Sequence, residues 1–399
     1  MGSDFLNFAL IQKIINSTNR YNNNFNINKV RTNSKEIKPG DVFLCINSGY
    51  LYVKEAVSNG AIAIISEVML DVSVPVLYVN NTKAALKSLG SYYRSQYKGK
   101  VIAITGSNGK TTTKEILAHL LAKKYKVLKN IDSKNNLLGV SNTLLELDNS
   151  YDYLVLELGM NHIGEISELS NLIVPDIAVI TNIGTSHIGH LGSVEKIYSA
   201  KMEILDGNPN LELCVNSLDD YLNKLDCHQV FPKINYLNIN SVSLSLDVAV
   251  VNFLGLDYIE NELDDLVLPK SRLTKYMFNN HIVIDDAYNA SYESFIYGLN
   301  ELEKYSNTKM IIFGDMLELG KYSDYYHKKV LEKIKEIKNT VVITYGQITK
   351  KLGNEIHFEE FDSLKKFLML YEWNDEIIYL KASHCLNLSL LIPFFEHLW

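Results

Sequence analysis

No stretch of this chain gathers positive charge. Its 39 lysines and arginines are spread among 46 acidic residues, for a net charge of −7, and nowhere form a run with interleaved aromatics. Neither a nucleic-acid backbone nor an anionic membrane is an expected partner. Cysteine is equally scarce: Cys45, Cys214, Cys227 and Cys385 stand far apart with no C-x-x-C. They read as reduced, mostly structural thiols of a reducing compartment. The N-terminus lacks a basic region followed by an apolar core and a small-residue cleavage site, and no apolar run reaches ~18 residues. The expectation is a cytoplasmic protein without membrane insertion. Internal repeats, low-complexity linkers and a legible exposed apolar stripe are also missing, and a monomer is expected.

What is present suits a soluble multidomain chain. With 399 residues, 47% hydrophobic and 21% charged, the length allows two or three domains, each able to bury its own core. The organising stretch is Val101 to Glu115, VIAITGSNGKTTTKE. An apolar β-branched run breaks into Thr-Gly-Ser-Asn-Gly and continues as an amphipathic segment to Lys124, which reads as strand, tight loop and helix. Gly106 and Gly109 permit positive φ, and the helix beginning near Lys110 aims free N–H groups at one point. Lys110 would meet the β- and γ-phosphates of a nucleoside triphosphate and Thr111 a Mg²⁺ ion. The match to G-x-x-x-x-G-K-[ST] is incomplete, because Ile104 occupies the first glycine position.

Three units follow from the pattern: 1–98, 99–274 and 275–399. In the first, Phe5 to Ile15 reads as a helix, Asp41 to Ile46, Ala61 to Ile65 and Val76 to Val79 as strands, and Thr82 to Tyr97 as a closing helix. In the second, strands at Val101 to Ile104, Lys126 to Leu128, Tyr153 to Gly159, Ile177 to Thr181 and Leu213 to Asn216 alternate with helices. These include Gly139 to Leu147, Val194 to Leu205 and Ser241 to Leu254, while the pattern between Asn208 and Ile239 is otherwise weak. The strands are nearly continuous in apolar residues, which indicates a parallel sheet covered on both faces. The third unit alternates again, from a strand at His281 to Asp285 to a helix at Leu386 to Leu398. The expected fold class is α/β: a central phosphate-loop sheet, a Rossmann-like C-terminal domain and a small α/β N-terminal domain.

In such sheets ligands sit beyond the carboxyl ends of the strands. That places Glu157, Thr181-Asn182 and the phosphate loop on one rim, where a carboxylate could share Mg²⁺ with Thr111. His187 follows a strand end on that rim, although a lone loop histidine is more often a surface residue. Lys201, on a helix, would by itself be a solvated cation. Turned into the site, its amine could react with CO₂ to form a carbamate, an anionic ligand for a second Mg²⁺ beside His187. IDDAYNAS (Ile284 to Ser291) and GDMLELG (Gly314 to Gly320) put polar groups on loops after two strands, and a cleft between two such domains would close on substrate.

Together these stretches resemble the Mur ligase family, in particular its D-alanyl-D-alanine-adding branch, over Val30 to Ser383. The motifs are TGSNGKTTTKE, NN-LLGV (Asn135 to Val140), LELGMNHIGEI (Leu156 to Ile166), TNIGTSH (Thr181 to His187), the lysine of AKMEI, LPKSRL (Leu268 to Leu273), DDAYNA (Asp285 to Ala290) and GDMLELG. The resemblance implies that ATP phosphorylates the carboxylate of a UDP-muramoyl tripeptide, and that D-alanyl-D-alanine attacks the acyl phosphate. It implies nucleotide contacts at Gly106, Ser107, Asn108, Gly109, Lys110, Thr111 and Thr112, joined by Arg272, Asp286, Tyr288 and Asn289 from the third unit. Two Mg²⁺ ions would be held by Thr111, Glu157, His187 and carbamylated Lys201. Asn135 and Asn136 are implied substrate contacts, as are Asn33, Ser34 and Lys35, which stand where the family carries Asp-Ser-Arg. The family's Asp-Gly-His nearby is replaced in the region of Gly49 to Tyr52.

Overall fold

The computed structural model describes residues 6–232, 241–256 and 263–399. Three sheets stand in chain order. The first holds parallel strands β1 (Val30–Arg31), β2 (Val42–Leu44), β3 (Ala63–Ser66) and β4 (Val76–Tyr78), side by side in that order. Helix α1 (Phe8–Ile14), helix α2 (Val53–Ser58) and the long α3 (Thr82–Gln96) accompany it. The expected start of the first helix, Phe5, lies outside the described residues. Asn81 closes the open end of α3 by accepting the N–H of Ala84.

The central sheet is built from β5 (Lys100–Thr105), β6 (Val127–Lys129), β7 (Tyr153–Glu157), β8 (Ile177–Ile180), β9 (Glu212–Asn216) and β10 (His228–Val230). All are parallel, in the spatial order β10-β9-β8-β5-β7-β6. Alternate residues serve opposite faces. Val101, Ala103, Leu154 and Leu156 enter one core and Ile102, Ile104, Tyr153 and Val155 the other. Two buried faces explain why these strands read as unbroken apolar runs. Covering helices are α4 (Lys110–Ala122), α5 (Leu137–Leu144), α6 (Glu165–Ile173), the short α7 (Ile188–Leu191), α8 (Val194–Met202) and α9 (Ser241–Phe253). The strand order turns at β5, so the loops leaving β5, β7 and β8 meet at one rim.

The third sheet follows the order β11-β12-β16-β13-β14-β15: β11 (Thr274–Phe278), β12 (His281–Asp285), β13 (Lys309–Gly314), β14 (Thr340–Tyr345), β15 (Ile356–Phe358) and β16 (Ile377–Lys381). Its helices are α10 (Tyr292–Leu302), α11 (Ser323–Glu336), α12 (Phe361–Leu370) and α13 (Leu391–Leu398). Strand β11 runs antiparallel to β12, an addition to the expected parallel pattern. The continuous helix expected over Leu386 to Leu398 is instead two 3₁₀ turns and α13, because Asn387 takes a left-handed φ of 54°.

Candidate active site

The loop after β5 and the start of α4 form an anion cradle. Gly109, at φ 84°, precedes α4 without any side-chain cap, so the first N–H groups of the helix stay directed at the loop. Gly106 lies so close to the β8 rim that a Cβ there would stand 1.9 Å from Thr181 Oγ1. That hydroxyl donates to Asn108 O at 2.6 Å, and Asn182 O accepts the N–H of Ser107 at 2.9 Å. Lys110 Nζ donates to the carbonyls of Gly106 and Ser107 at 2.9 and 3.2 Å. A cavity of about 590 Å³ opens over this loop, lined by Ser107 to Thr112 and, from the third sheet, by Asp286, Tyr288 and Asn289.

Glu157 sits at the end of β7, only 1% exposed. Its Oε2 accepts the hydroxyl of Thr111 at 2.7 Å and its Oε1 the amide of Asn135 at 2.7 Å. Arg272 Nη2 donates to the same Thr111 oxygen at 2.9 Å, while its guanidinium lies 4.0 Å over the Tyr288 ring. Tyr288 donates to Ser133 Oγ at 2.6 Å, and Ser133 Oγ is 3.2 Å from Thr111 Oγ1. Lys114, completely buried, donates to the carbonyls of Asn130 and Asp132 and so fixes the loop that carries Ser133.

Lys201 points inward from α8, 2% exposed, and donates to Gly106 O at 2.8 Å. Burial and the neighbouring Lys110 lower its pKa well below the usual lysine range. Lys110 is lowered as well, chiefly by burial and also by Arg272, against the pull of Glu157 and Glu318. His187 adopts a left-handed φ of 65° ahead of α7. Its Nδ1 lies 3.2 Å from Glu318 Oε2 without hydrogen-bond geometry and is otherwise unpartnered. Burial, then Lys110 and Lys201, hold its pKa down to about 3. It is a neutral imidazole with a lone pair to offer.

Other expected residues lie elsewhere or act differently. Asn136 caps α5 by accepting the N–H of Gly139, and Asn135 braces Glu157. Asp286 is engaged by Lys381 Nζ at 2.6 Å and by Tyr379 OH at 2.9 Å. Asn33 to Lys35 belong to the first sheet's domain, away from the cavity lining. There Ser34 donates to Glu55, and Asn33 accepts the N–H of Lys35 at 3.1 Å. Ser133, Glu293, Glu318 and Lys381 were not singled out by sequence reasoning. Ser133 and Glu318 stand in polar segments after strands, Glu318 within GDMLELG, whereas Glu293 in the first turn of α10 and Lys381 at the end of β16 carry no comparable local signal.

The Mur ligase middle domain matches residues 104–240, and the Mur ligase glutamate ligase domain matches residues 271–378. The UDP-N-acetylmuramoyl-tripeptide–D-alanyl-D-alanine ligase of Rickettsia prowazekii is 30% identical, covering 94% of this chain and 96% of its own. The chain belongs to the Mur ligase family. The Escherichia coli ligase of the same name is 28% identical, covering 88% of this chain and 89% of its own. MurF from Acinetobacter baumannii superposes with a TM-score of 0.85 at 27% identity, covering 97% of this chain and 98% of its own. MurF from Thermotoga maritima, in complex with ADP, gives 0.82 at 25% identity and covers 92% and 97%. This Mur ligase thus has the three-domain fold of those enzymes.

Proposed function

We propose that this Mur ligase joins D-alanyl-D-alanine to UDP-N-acetylmuramoyl tripeptide at the expense of ATP, in peptidoglycan precursor synthesis. The observation that carries the reading is the convergence of the phosphate loop, the Thr111–Glu157 pair and the buried Lys201 on one rim beneath a cavity shared with the third sheet. The similarity to ligases of that name over nearly the whole chain supports the two substrates. The working units would be 1–98, 99–274 and 275–399, one per sheet. A cytoplasmic monomer is proposed; the buried free thiols Cys45 and Cys214 suit a reducing compartment.

In this scheme the N–H groups of the loop and α4 hold the triphosphate, and Lys110 turns from the loop carbonyls to the β- and γ-phosphates. Arg272, held 4.0 Å over the Tyr288 ring, would steady the transferring phosphoryl group. The tripeptide carboxylate attacks the γ-phosphorus, giving an acyl phosphate and ADP. The free amine of D-alanyl-D-alanine then adds to the acyl carbon, and the tetrahedral adduct collapses to amide and phosphate. Closing the C-terminal domain over the rim would keep water from the acyl phosphate.

The donor set fits divalent metal. Thr111 and Glu157 offer hard oxygens, and His187 keeps a buried ring nitrogen without a hydrogen-bond partner among the described residues. Thr111, Glu157, His187 and Lys201 would hold Mg²⁺, with two ions proposed, and the metal would supply charge neutralisation as the anions meet. Lys201 suits carbamate formation because its lowered pKa favours the free amine that adds to CO₂. The carbamate anion would then answer the charge of Lys110.

The test is ADP release with and without the UDP-muramoyl tripeptide and D-alanyl-D-alanine. Release that requires both carries the proposal. ADP formed with another carboxylate or amine would point to a paralogue of different substrate, a reading favoured by Asn33-Ser34-Lys35 in the first domain. No release under any condition would leave a nucleotide-binding assembly partner.

A further inference from the structure

The loop between β8 and α7 is held from two sides. On the central side it is sewn to the phosphate loop: Ser107 Oγ accepts the N–H of Gly184 at 2.8 Å, and Asn182 Oδ1 accepts the N–H of Asn108 at 2.9 Å. The other side is gripped by the C-terminal domain. Glu293, in the first turn of α10, accepts the N–H of Thr185 on Oε1 at 2.9 Å and the Thr185 hydroxyl on Oε2 at 2.9 Å. Gly184 permits this approach, since a Cβ there would stand 2.8 Å from Glu293 Cδ. Ser291, the cap of the same helix, donates to Asn108 Oδ1 at 3.0 Å. His187 is the second residue beyond Thr185 and sits in a left-handed conformation that needs outside support.

We propose that Glu293 is a positioning residue. By clamping Thr185 when the C-terminal domain docks, it sets the His187 ring against the phosphate loop, so that phosphoryl transfer waits for the docked state. The proposal deepens the ligase reading and rests on it for its kinetic arm only. Glu293 acts through Thr185 and therefore governs turnover more than nucleotide capture, which depends on the preformed loop of the central domain.

Two variants test it, Glu293→Gln and Thr185→Val, separately and combined. Steady-state ADP formation with both substrates should show kcat reduced about 10- to 100-fold in Glu293→Gln, the size expected when a reacting group is misplaced. The KM for ATP should stay near wild type, and Thr185→Val should add little to the loss in the double variant, because both break one clamp. In metal-free protein, the His187 ring resonance, assigned by its disappearance in His187→Gln, should shift in Glu293→Gln. Unchanged kcat against an active wild type, multiplying losses in the double variant, or an unmoved ring resonance would each overturn the proposal. An inactive wild type would count against the ligase reading instead, and the resonance would still decide the clamp.

Discussion

Arg272, just ahead of β11, donates to the hydroxyl of Thr111 at the head of α4 at 2.9 Å, 161 positions apart in sequence. A planar guanidinium can rest over Tyr288, 4.0 Å from its centroid, and still present a donor at its edge; a compact ammonium cannot do both. Arg272→Lys is expected to lower kcat for ADP formation on the order of 10²-fold, comparable with loss of one transition-state donor. Steady-state kinetics checks this, and a variant within about twofold of wild type would remove Arg272 from the reacting centre.

Lys201 and Lys110 both donate to the carbonyl of Gly106, at 2.8 and 2.9 Å. Two ammonium groups on one oxygen would repel, which favours the free amine on Lys201, and a carbamate there would turn the repulsion into attraction. Lys201→Ala should therefore lose activity and regain part of it when acetate or another short carboxylic acid is supplied. Ordinary lysine density at this side chain in a crystal grown with bicarbonate would count against the modification.

Gly189 and Gly320 meet where α7 touches the 3₁₀ segment Leu317–Tyr322 of the C-terminal domain. A Cβ on Gly320 would come within 2.7 Å of Gly189 Cα, and one on Gly189 within 2.5 Å of Gly320 N. These are backbone atoms and cannot swing aside. Gly189→Ala is expected to hold the two domains apart and cut kcat about tenfold or more. Solution scattering of the nucleotide-bound protein should then report a larger radius of gyration; an unchanged radius would refute the claim that this contact limits docking.

Asp247 lies in α9 among Leu244, Leu246, Val248 and Val251, with neither carboxyl oxygen hydrogen-bonded among the described residues. Burial raises its pKa well above 3.8, so the folded chain retains a proton that the unfolded chain releases. That stabilising contribution is complete below the unfolded value and is lost as pH rises toward the folded one. Asp247→Ala should flatten this slope, gaining stability relative to wild type as the pH rises from 4 to 8. Urea unfolding at the two pH values measures it, and parallel curves would show that Asp247 is not the source.

The legible parts of the site were those written by neighbours in sequence. Strand, glycine loop and helix cap occur within Lys100 to Ala122, and Glu157 followed from the strand-end rule once β7 was read. Groups that gain their role by docking were not legible: nothing in the polar stretch around Ser133 says that Tyr288 and Arg272 will reach it. Asn135 and Asn136 show the limit of reading a motif as one unit, since one braces a carboxylate and the other caps a helix. Strand β11 escaped because its residues alternate between half-buried and exposed positions beside a loop rich in turn residues, unlike the continuous apolar runs of the interior. The break at Asn387 was hidden because asparagine fits a helix pattern as readily as a left-handed turn.

The placement of β5 has a consequence for how the molecule is born. Its two neighbours are β7 and β8, while β6, the next strand made, goes to the sheet's far margin. Until Tyr153–Glu157 and Ile177–Ile180 have left the ribosome, the strand beneath the cradle stands with both margins bare. Such long-range pairing is slow, and bare margins invite association with other chains. A truncated product ending before β7 should therefore be recovered as aggregate, without the capacity to hold a triphosphate.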